Sequence, residues 1–375
     1  MFSYRHAFHA GNHADVLKHV IALAAIEYLT SKGAPLMVVD THAGAGFYAL
    51  DSGYAMRSAE ALSGISKLWN SAQLPPLLQR YLQAIREFNL KHGSETLKFY
   101  PGSPLLLFKA LRGEDKLRLF ELHPADHAIL AKNMQQLQAG RQIIVQRANG
   151  FEGLKAYLPP PQRRALVLMD PSYEDKADYK QVYNTLADAL TRLATGTYMV
   201  WYPIIERPES RNLPERLKKL SLPKGTPPDW LHVALNIGQA LQGVPMNLQA
   251  SGVFIFNPPY TLEPMLRSTL PVLVKLLGGR DASYVIESGT GAHRSSKTLP
   301  KSPSKATTHK TRPKPGAGLP TAKNIFSHTP RISARPDPEL AEPLITADPR
   351  GIHLAKPLKS VNTAAGFSRT PKRKS

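Results

Sequence analysis

Eight apolar runs of five to eight residues punctuate the first 290 residues: PLMVVD (35–40), KLRLFEL (116–122), QIIVQR (142–147), ALVLMD (165–170), TYMVWYPI (197–204), LHVALNI (231–237), GVFIFN (252–257) and SYVIE (284–288). Most are separated by segments with helical spacing. Such runs need cover on both faces, and a mostly parallel sheet flanked by helices provides it. The later runs lack clear helices between some of them, which predicts an antiparallel pair at one edge. NHADVLKHVIALAAIEYLTSKG (12–33) reads as a helix, with Asn12 as N-cap and Gly33 as stop. The gap between the first two runs is far longer than one helix needs. SAEALSGISKLWN (58–70) and LLQRYLQAIREFNLKHG (77–93) are helical in pattern, so residues 51–100 read as a helical insertion into an α/β domain.

In open α/β sheets, ligands bind beyond the carboxyl ends of the strands. Those ends carry, in order, DTHAGAG (40–46), Glu121, Asn149-Gly150 and Asp170-Pro171-Ser172-Tyr173. The glycines of the first loop let the backbone approach a ligand. Read as G-x-G-x-x-A through Ala49, the loop also fits a dinucleotide fingerprint. That reading wants an acid ending the next strand, about 20 residues on; Glu60, near that spacing, lies inside a helical pattern. A carboxylate at 121 suits the two hydroxyls of a ribose, and Asn149-Gly150 suits an adenine edge. Singly, each has an ordinary reading as a turn or a solvated strand end. In series they describe a site for an adenosine whose far end carries something other than a pyrophosphate. At the fourth end, the Asp170 carboxylate and the Pro171 carbonyl make an acceptor pair suited to an amino group on an aromatic ring, and Tyr173 offers a stacking face.

The chain has no cysteine. That excludes disulfides, thiolate metal sites, cysteine-held iron–sulfur clusters and cysteine nucleophiles. His6, His9 and His13 lie close in sequence, but no carboxylate pattern such as H-E-x-x-H accompanies them, and no metal is expected. The net charge of +20 points to a polyanionic partner. From His293 onward there are 17 Lys+Arg against 4 Asp+Glu, and twelve of the 33 prolines. A segment of that composition buries too little to offset its ordering entropy, so residues 293–375 are expected to be a disordered basic tail on a domain of residues 1–292. Its charge would either strengthen binding to a phosphate backbone without selecting a site, or belong to a solvated extension with no binding role. The N-terminus has histidines where an apolar leader core belongs, and VIALAAIEYL (20–29) is too short to span a bilayer. A cytoplasmic monomer without membrane contact is the expectation.

Together, YRHAFHAGNHADVLKH (4–19), DTHAGAG, FYPGSP (99–104), FELHP (120–124) and DPSY (170–173) make the chain resemble the RlmJ family. These are S-adenosylmethionine-dependent methyltransferases of adenine N6 in bacterial 23S ribosomal RNA, at the base customarily labelled adenine-2030. The resemblance covers residues 1–290. It implies a Rossmann-like class I methyltransferase fold, with a mostly parallel seven-stranded sheet and an inserted helical subdomain. At matching positions it implies cofactor contacts at Lys18, His19, His42, Gly44, Ser103, Glu121, Asn149, Gly150 and Asp170. Asp170 matches the catalytic carboxylate, and substrate contacts fall on Tyr4, His6, Pro171 and Tyr173. The family has Asp-Gly at Asn149-Gly150, and Asp-Pro-Pro-Tyr where this chain has Ser172. One acceptor oxygen survives the first change; the second loosens the turn but keeps the acceptors and the ring. Asn257-Pro258-Pro259-Tyr260 is closer to that motif in letters, yet it ends a late strand and reads as a structural turn. Two other functions compete. DNA adenine methylation is disfavoured by the lack of a separate domain for reading a duplex. A non-catalytic RNA-binding or assembly role is disfavoured by the intact Asp170 and Tyr173.

Overall fold

The computed structural model describes residues 6–51, 60–223, 225–239 and 248–290. Tyr4 and the basic tail from 293 onward lie outside the described residues. The strands are β1 (Met37–Asp40), β2 (Phe47–Ala49), β3 (Phe99–Pro101), β4 (Lys116–Phe120), β5 (Ile143–Gln146), β6 (Ala165–Met169), β7 (Thr197–Ile204), β8 (Trp230–Asn236), β9 (Ala250–Phe256) and β10 (Ser283–Gly289). All eight apolar runs join one sheet in the order β10-β8-β9-β7-β6-β1-β4-β5. The sheet thus has eight strands where the resemblance implied seven; β10 is the extra edge strand. The pairings from β5 through β4, β1 and β6 to β7 are parallel, and those joining β7, β9, β8 and β10 are antiparallel. The expected antiparallel pair at one edge is β8 with β10, and the two reversed strands, β9 and β10, flank β8.

Period-two alternation sets which side chains share a face. Val38 of β1 and Leu166 and Leu168 of β6 pack into one core with the helix His13–Thr30 and helix Leu262–Leu277. Met37, Val39, Val167 and Met169 pack into the other with helices Ala177–Arg192 and Pro208–Leu217. Helix 13–30 starts where the sequence predicts: the Asn12 side chain accepts from the Asp15 N–H. The helix ends at Thr30, with Ser31 rather than Gly33 closing it. Residues 13–26 are buried on every side. That is the condition of a helix held between layers, here the sheet on one side and helix Pro76–Lys91 on the other.

Helices Ile65–Trp69 and Pro76–Lys91 lie between β2 and β3, which pair antiparallel as a separate ladder. Asn89, fully buried, closes this neck. Its amide donates to the Ile85 and Phe99 carbonyls and accepts from the Lys98 and Phe99 N–H groups. No helix among the described residues is long and apolar enough to cross a membrane.

Candidate active site

Alternation carries beyond the strand ends. Asp40, Glu121 and Asp170 continue the sequence positions whose side chains face helix 13–30, at the carboxyl edge of three adjacent strands. A cavity of about 400 Å³ opens there. His6, Lys18, His19, His42, Gly44, Ser103, Glu121, Asn149, Gly150, Asp170 and Pro171 all line it. So every candidate site residue among the described residues, apart from Tyr173, comes to one place.

The loop after β1 is held tightly. Ser103 donates to Asp40 Oδ2 at 2.6 Å, and the His42 N–H reaches Asp40 Oδ1 at 3.3 Å. Burial pushes the Asp40 carboxyl up to about 6, against those two bonds. Gly44 has φ +62, and a Cβ there would meet the Tyr48 hydroxyl at 2.3 Å. Gly150 is needed for closeness: a Cβ would sit 2.0 Å from the Thr41 carbonyl oxygen. Glu121 accepts from the Gly44 N–H at 2.8 Å and from the His123 N–H at 2.7 Å. Burial lifts its carboxyl to about 7 in spite of these bonds. The Asn149 side chain accepts from the Phe151 N–H at 2.9 Å, capping the turn that follows. His19 and His42 are neutral imidazoles, each pulled to about 3 chiefly by burial. His19 Nδ1 meets the Tyr100 hydroxyl at 2.7 Å, and its buried Nε2 has no partner among the described residues.

The cation of the cavity is Lys18, 3 % exposed. Its Nζ bonds to Asp15 Oδ1 at 2.8 Å and to Asp170 Oδ2. Burial alone would lower its pKa; the two carboxylates outweigh that, and the ammonium is firmly charged. Asp15 is 2 % exposed. Burial raises its pKa, but His6 and Lys18 overcome the effect and hold it well below the usual range. His6 Nε2 lies 3.1 Å from Asp15 Oδ2. Asp15 was not singled out from sequence, although its i, i+3 spacing to Lys18 on one helix face was a readable signal. Tyr48 and Asp126, which also line the cavity, carried no such signal.

One expectation changes. Tyr173 does not present its ring to the cavity. At φ 54 its side chain turns into the core, 2 % exposed, with its ring against Tyr179 and its hydroxyl donating to the Trp201 carbonyl at 2.8 Å. Its place is structural: it anchors the turn that carries Asp170. The rival turn is settled by direction. β9 is antiparallel to β7, and Phe256 pairs with Tyr198 near the start of β7, so Asn257 lies at the amino edge of the parallel strands. Its amide donates to the Ala194 and Gly196 carbonyls at 2.8 and 2.7 Å. Asn257→Ala is therefore expected to cost about 1–3 kcal/mol in urea unfolding, through two lost bonds at a left-handed position (φ 49). Calorimetric affinity for S-adenosylmethionine should not move; a stable variant that lost it would put the ligand at this turn.

The three N-terminal histidines do not converge. His6 pairs with Asp15 and His9 Nδ1 with Glu60 Oε2 at 2.9 Å. The described residues contain no cluster of three or more His, Asp or Glu able to hold a metal. Glu60, the acid of the dinucleotide alternative, is also bound by the Asn12 amide at 2.8 Å and does not line the cavity.

A family model described as "Ribosomal RNA large subunit methyltransferase D, RlmJ" matches residues 33–287. The chain is 40 % identical over 291 residues to the ribosomal RNA large subunit methyltransferase J of Escherichia coli strain K12, covering 78 % of this chain and 96 % of that one. It is 39 % identical over 277 residues to the Haemophilus influenzae protein of the same name, covering 74 % and 94 %. A crystallised Legionella pneumophila protein superposes with a TM-score of 0.67 at 32 % identity, over 76 % of this chain and 99 % of that one. The basic tail lies beyond the matched residues. With Asp170 at the end of β6 and the glycine loop at the end of β1 opening on one cavity, and with relatives of this closeness, the chain belongs to the RlmJ family of ribosomal RNA large subunit methyltransferases.

Proposed function

We propose that the chain transfers a methyl group from S-adenosylmethionine to the exocyclic N6 of an adenine in 23S ribosomal RNA, at the position customarily labelled adenine-2030. The names of the two curated relatives support ribosomal RNA as the substrate. The observation that carries the chemistry is Asp170-Pro171 lining the same cavity as Glu121, the glycine loop and Asn149-Gly150.

The lining fits a cationic adenosine derivative. Its carboxylates are Glu121, Asp126, Asp170, Glu174, Asp175 and Asp178 against the single ammonium of Lys18, in a chain whose net charge is +20. The unpartnered Nε2 of His19 offers a neutral polar contact at the same wall. Glu121 would take the ribose hydroxyls, and Gly150 leaves room at the adenine. When bound, S-adenosylmethionine supplies a methyl group on a positively charged sulfur. The protein's task is the nucleophile. An adenine amino group donates its lone pair into the ring and is weakly nucleophilic. The Asp170 carboxylate and the Pro171 carbonyl accept its two N–H bonds and favour the pyramidal nitrogen that can attack. Lys18, bonded to Asp170, keeps the carboxylate aimed. The proton shed by the product amine leaves by way of Asp170 or solvent.

Mass spectrometry of 23S RNA from a deletion strain tests the reading. Loss of N6-methyladenosine at that base, restored by the wild-type gene, is expected. An unchanged RNA with altered DNA methylation would favour the DNA alternative. No change in either would favour a non-catalytic role.

The state of Glu121 gives a pH prediction. Its pKa of about 7 means that the neutral acid and the carboxylate are both populated near neutrality. Ribose hydroxyls donate to the carboxylate, so binding releases a proton from the neutral form. Affinity for S-adenosylmethionine, by calorimetry, should fall as pH drops from about 8 to about 6, approaching tenfold per unit below the carboxyl's pKa. The Glu121→Gln variant should lose this component of the pH dependence. The raised pKa also means that this group favours the ligand-free fold when protonated, and that contribution fades as pH climbs from the ordinary carboxyl range towards about 7.

A further inference from the structure

We propose that Arg207 is a positioning residue for the Asp170 turn, acting on the backbone from outside the cavity; this rests on the methyl-transfer reading above. Arg207 follows β7 and directly precedes helix Pro208–Leu217. It does not line the cavity. Its guanidinium Nη1 donates to the Tyr173 carbonyl at 3.0 Å and to the Glu174 carbonyl at 3.4 Å. Tyr173 is already fixed at two other points: its N–H donates to Asp178 Oδ2 at 3.0 Å and its hydroxyl to the Trp201 carbonyl. With Arg207 the residue is held by its amide, its ring and its carbonyl, three residues from the carboxylate that receives the substrate.

The turn needs an external hold because its own sequence is permissive. Tyr173 sits at φ 54, a conformation that a bulky side chain disfavours and that surrounding contacts must maintain. Ser172 does not restrict the backbone as a proline would, and its hydroxyl makes only a 3.4 Å contact with the Glu174 N–H. A proline at 172 would fix its own φ and bias Pro171 towards an extended conformation. No hydrogen bond from the Ser172 N–H to another residue of the described chain would be lost. Arg207 and a proline at 172 are thus alternative ways to restrict one backbone segment, and one should compensate for loss of the other.

The test compares the full-length wild type with Arg207→Met, Arg207→Lys, Ser172→Pro and the Arg207→Met/Ser172→Pro double variant. Single-turnover transfer to 23S RNA at saturating RNA and S-adenosylmethionine should fall roughly five- to tenfold in Arg207→Met, the scale of one charge-assisted bond at a partly exposed site. Affinity for S-adenosylmethionine and the thermal midpoint should stay near wild type. Arg207→Lys should be intermediate, and the double variant should recover most of the rate. A raised KM for RNA with an unchanged single-turnover rate would make Arg207 an RNA contact and overturn the proposal. A failure of Ser172→Pro to restore the rate, in a double variant whose melting is normal, would overturn it as well. Amide hydrogen exchange across residues 170–178 needs no RNA: it should quicken in Arg207→Met and slow again in the double variant. That readout separates the two readings, since an inactive wild type would fail the methyl-transfer assignment while leaving the clamp measurable.

Discussion

Asp170→Ala is expected to reduce single-turnover methyl transfer by roughly 10²–10³ at saturating S-adenosylmethionine, while the folded protein still binds that molecule. The size follows from what the carboxylate does. In the proposed mechanism it accepts a hydrogen bond that strengthens as the amine pyramidalises, so its loss falls on the transition state more than on binding. The ribose and adenine contacts are assigned to Glu121 and Asn149-Gly150, so calorimetry should show a much smaller change in affinity. Asp170→Asn separates charge from shape: it retains one acceptor oxygen but also introduces an amide donor facing Lys18. It should be nearly as slow. A variant at 170 that turns over at the wild-type rate would remove this carboxylate from the mechanism, and the amino group would need another acceptor on the same wall.

Lys18→Met should be the most damaging single change to stability, costing about 3–5 kcal/mol in urea unfolding at neutral pH. The methionine fills a similar volume, so packing is not the cause. What remains is Asp15, 2 % exposed, facing Asp170 without the ammonium between them. The pH dependence identifies the source. In the wild type the Asp15 pKa is depressed, so its contribution is present above the ordinary carboxyl range and lost as pH falls through the folded-state value. In the variant the Asp15 pKa must rise. The stability gap between the two proteins should therefore be wide at about pH 8 and narrower at about pH 5. An equal gap at both values would assign the loss to packing instead of charge.

Much of the sheet could be read from the chain because most runs are apolar on both faces and end sharply. The helix start at Asn12 is written in its side chain. The strand ends named the cavity: Asp40, Glu121, Asn149 and Asp170 follow in order, and parallel strands bring such residues to one edge. The direction of β9 was not readable, since an apolar run carries no mark of parallel or antiparallel pairing. Once known, it sends Asn257 to the far edge of the sheet. Tyr173 was misread for a related reason. The letters give an aromatic ring after a proline turn, but the sign of φ at 173 decides which side the ring takes. Arg207 acts through a contact distant in sequence, with Tyr173, which no local pattern encodes, whereas Asp15, one helical turn before Lys18, did carry a local signal.

The order of strands also sets a timetable for synthesis. Helix 13–30, buried on all sides over residues 13–26, is made before every strand of the sheet that covers it. The sheet that covers it is not complete until β9 has been inserted between β7 and β8, and β9 ends at Phe256. Helix 262–277, which also packs on it, comes later still. A ribosome making this chain therefore extends a largely apolar helix well before its permanent cover exists. Apolar surface exposed in this way during synthesis is prone to aggregation until its cover is in place.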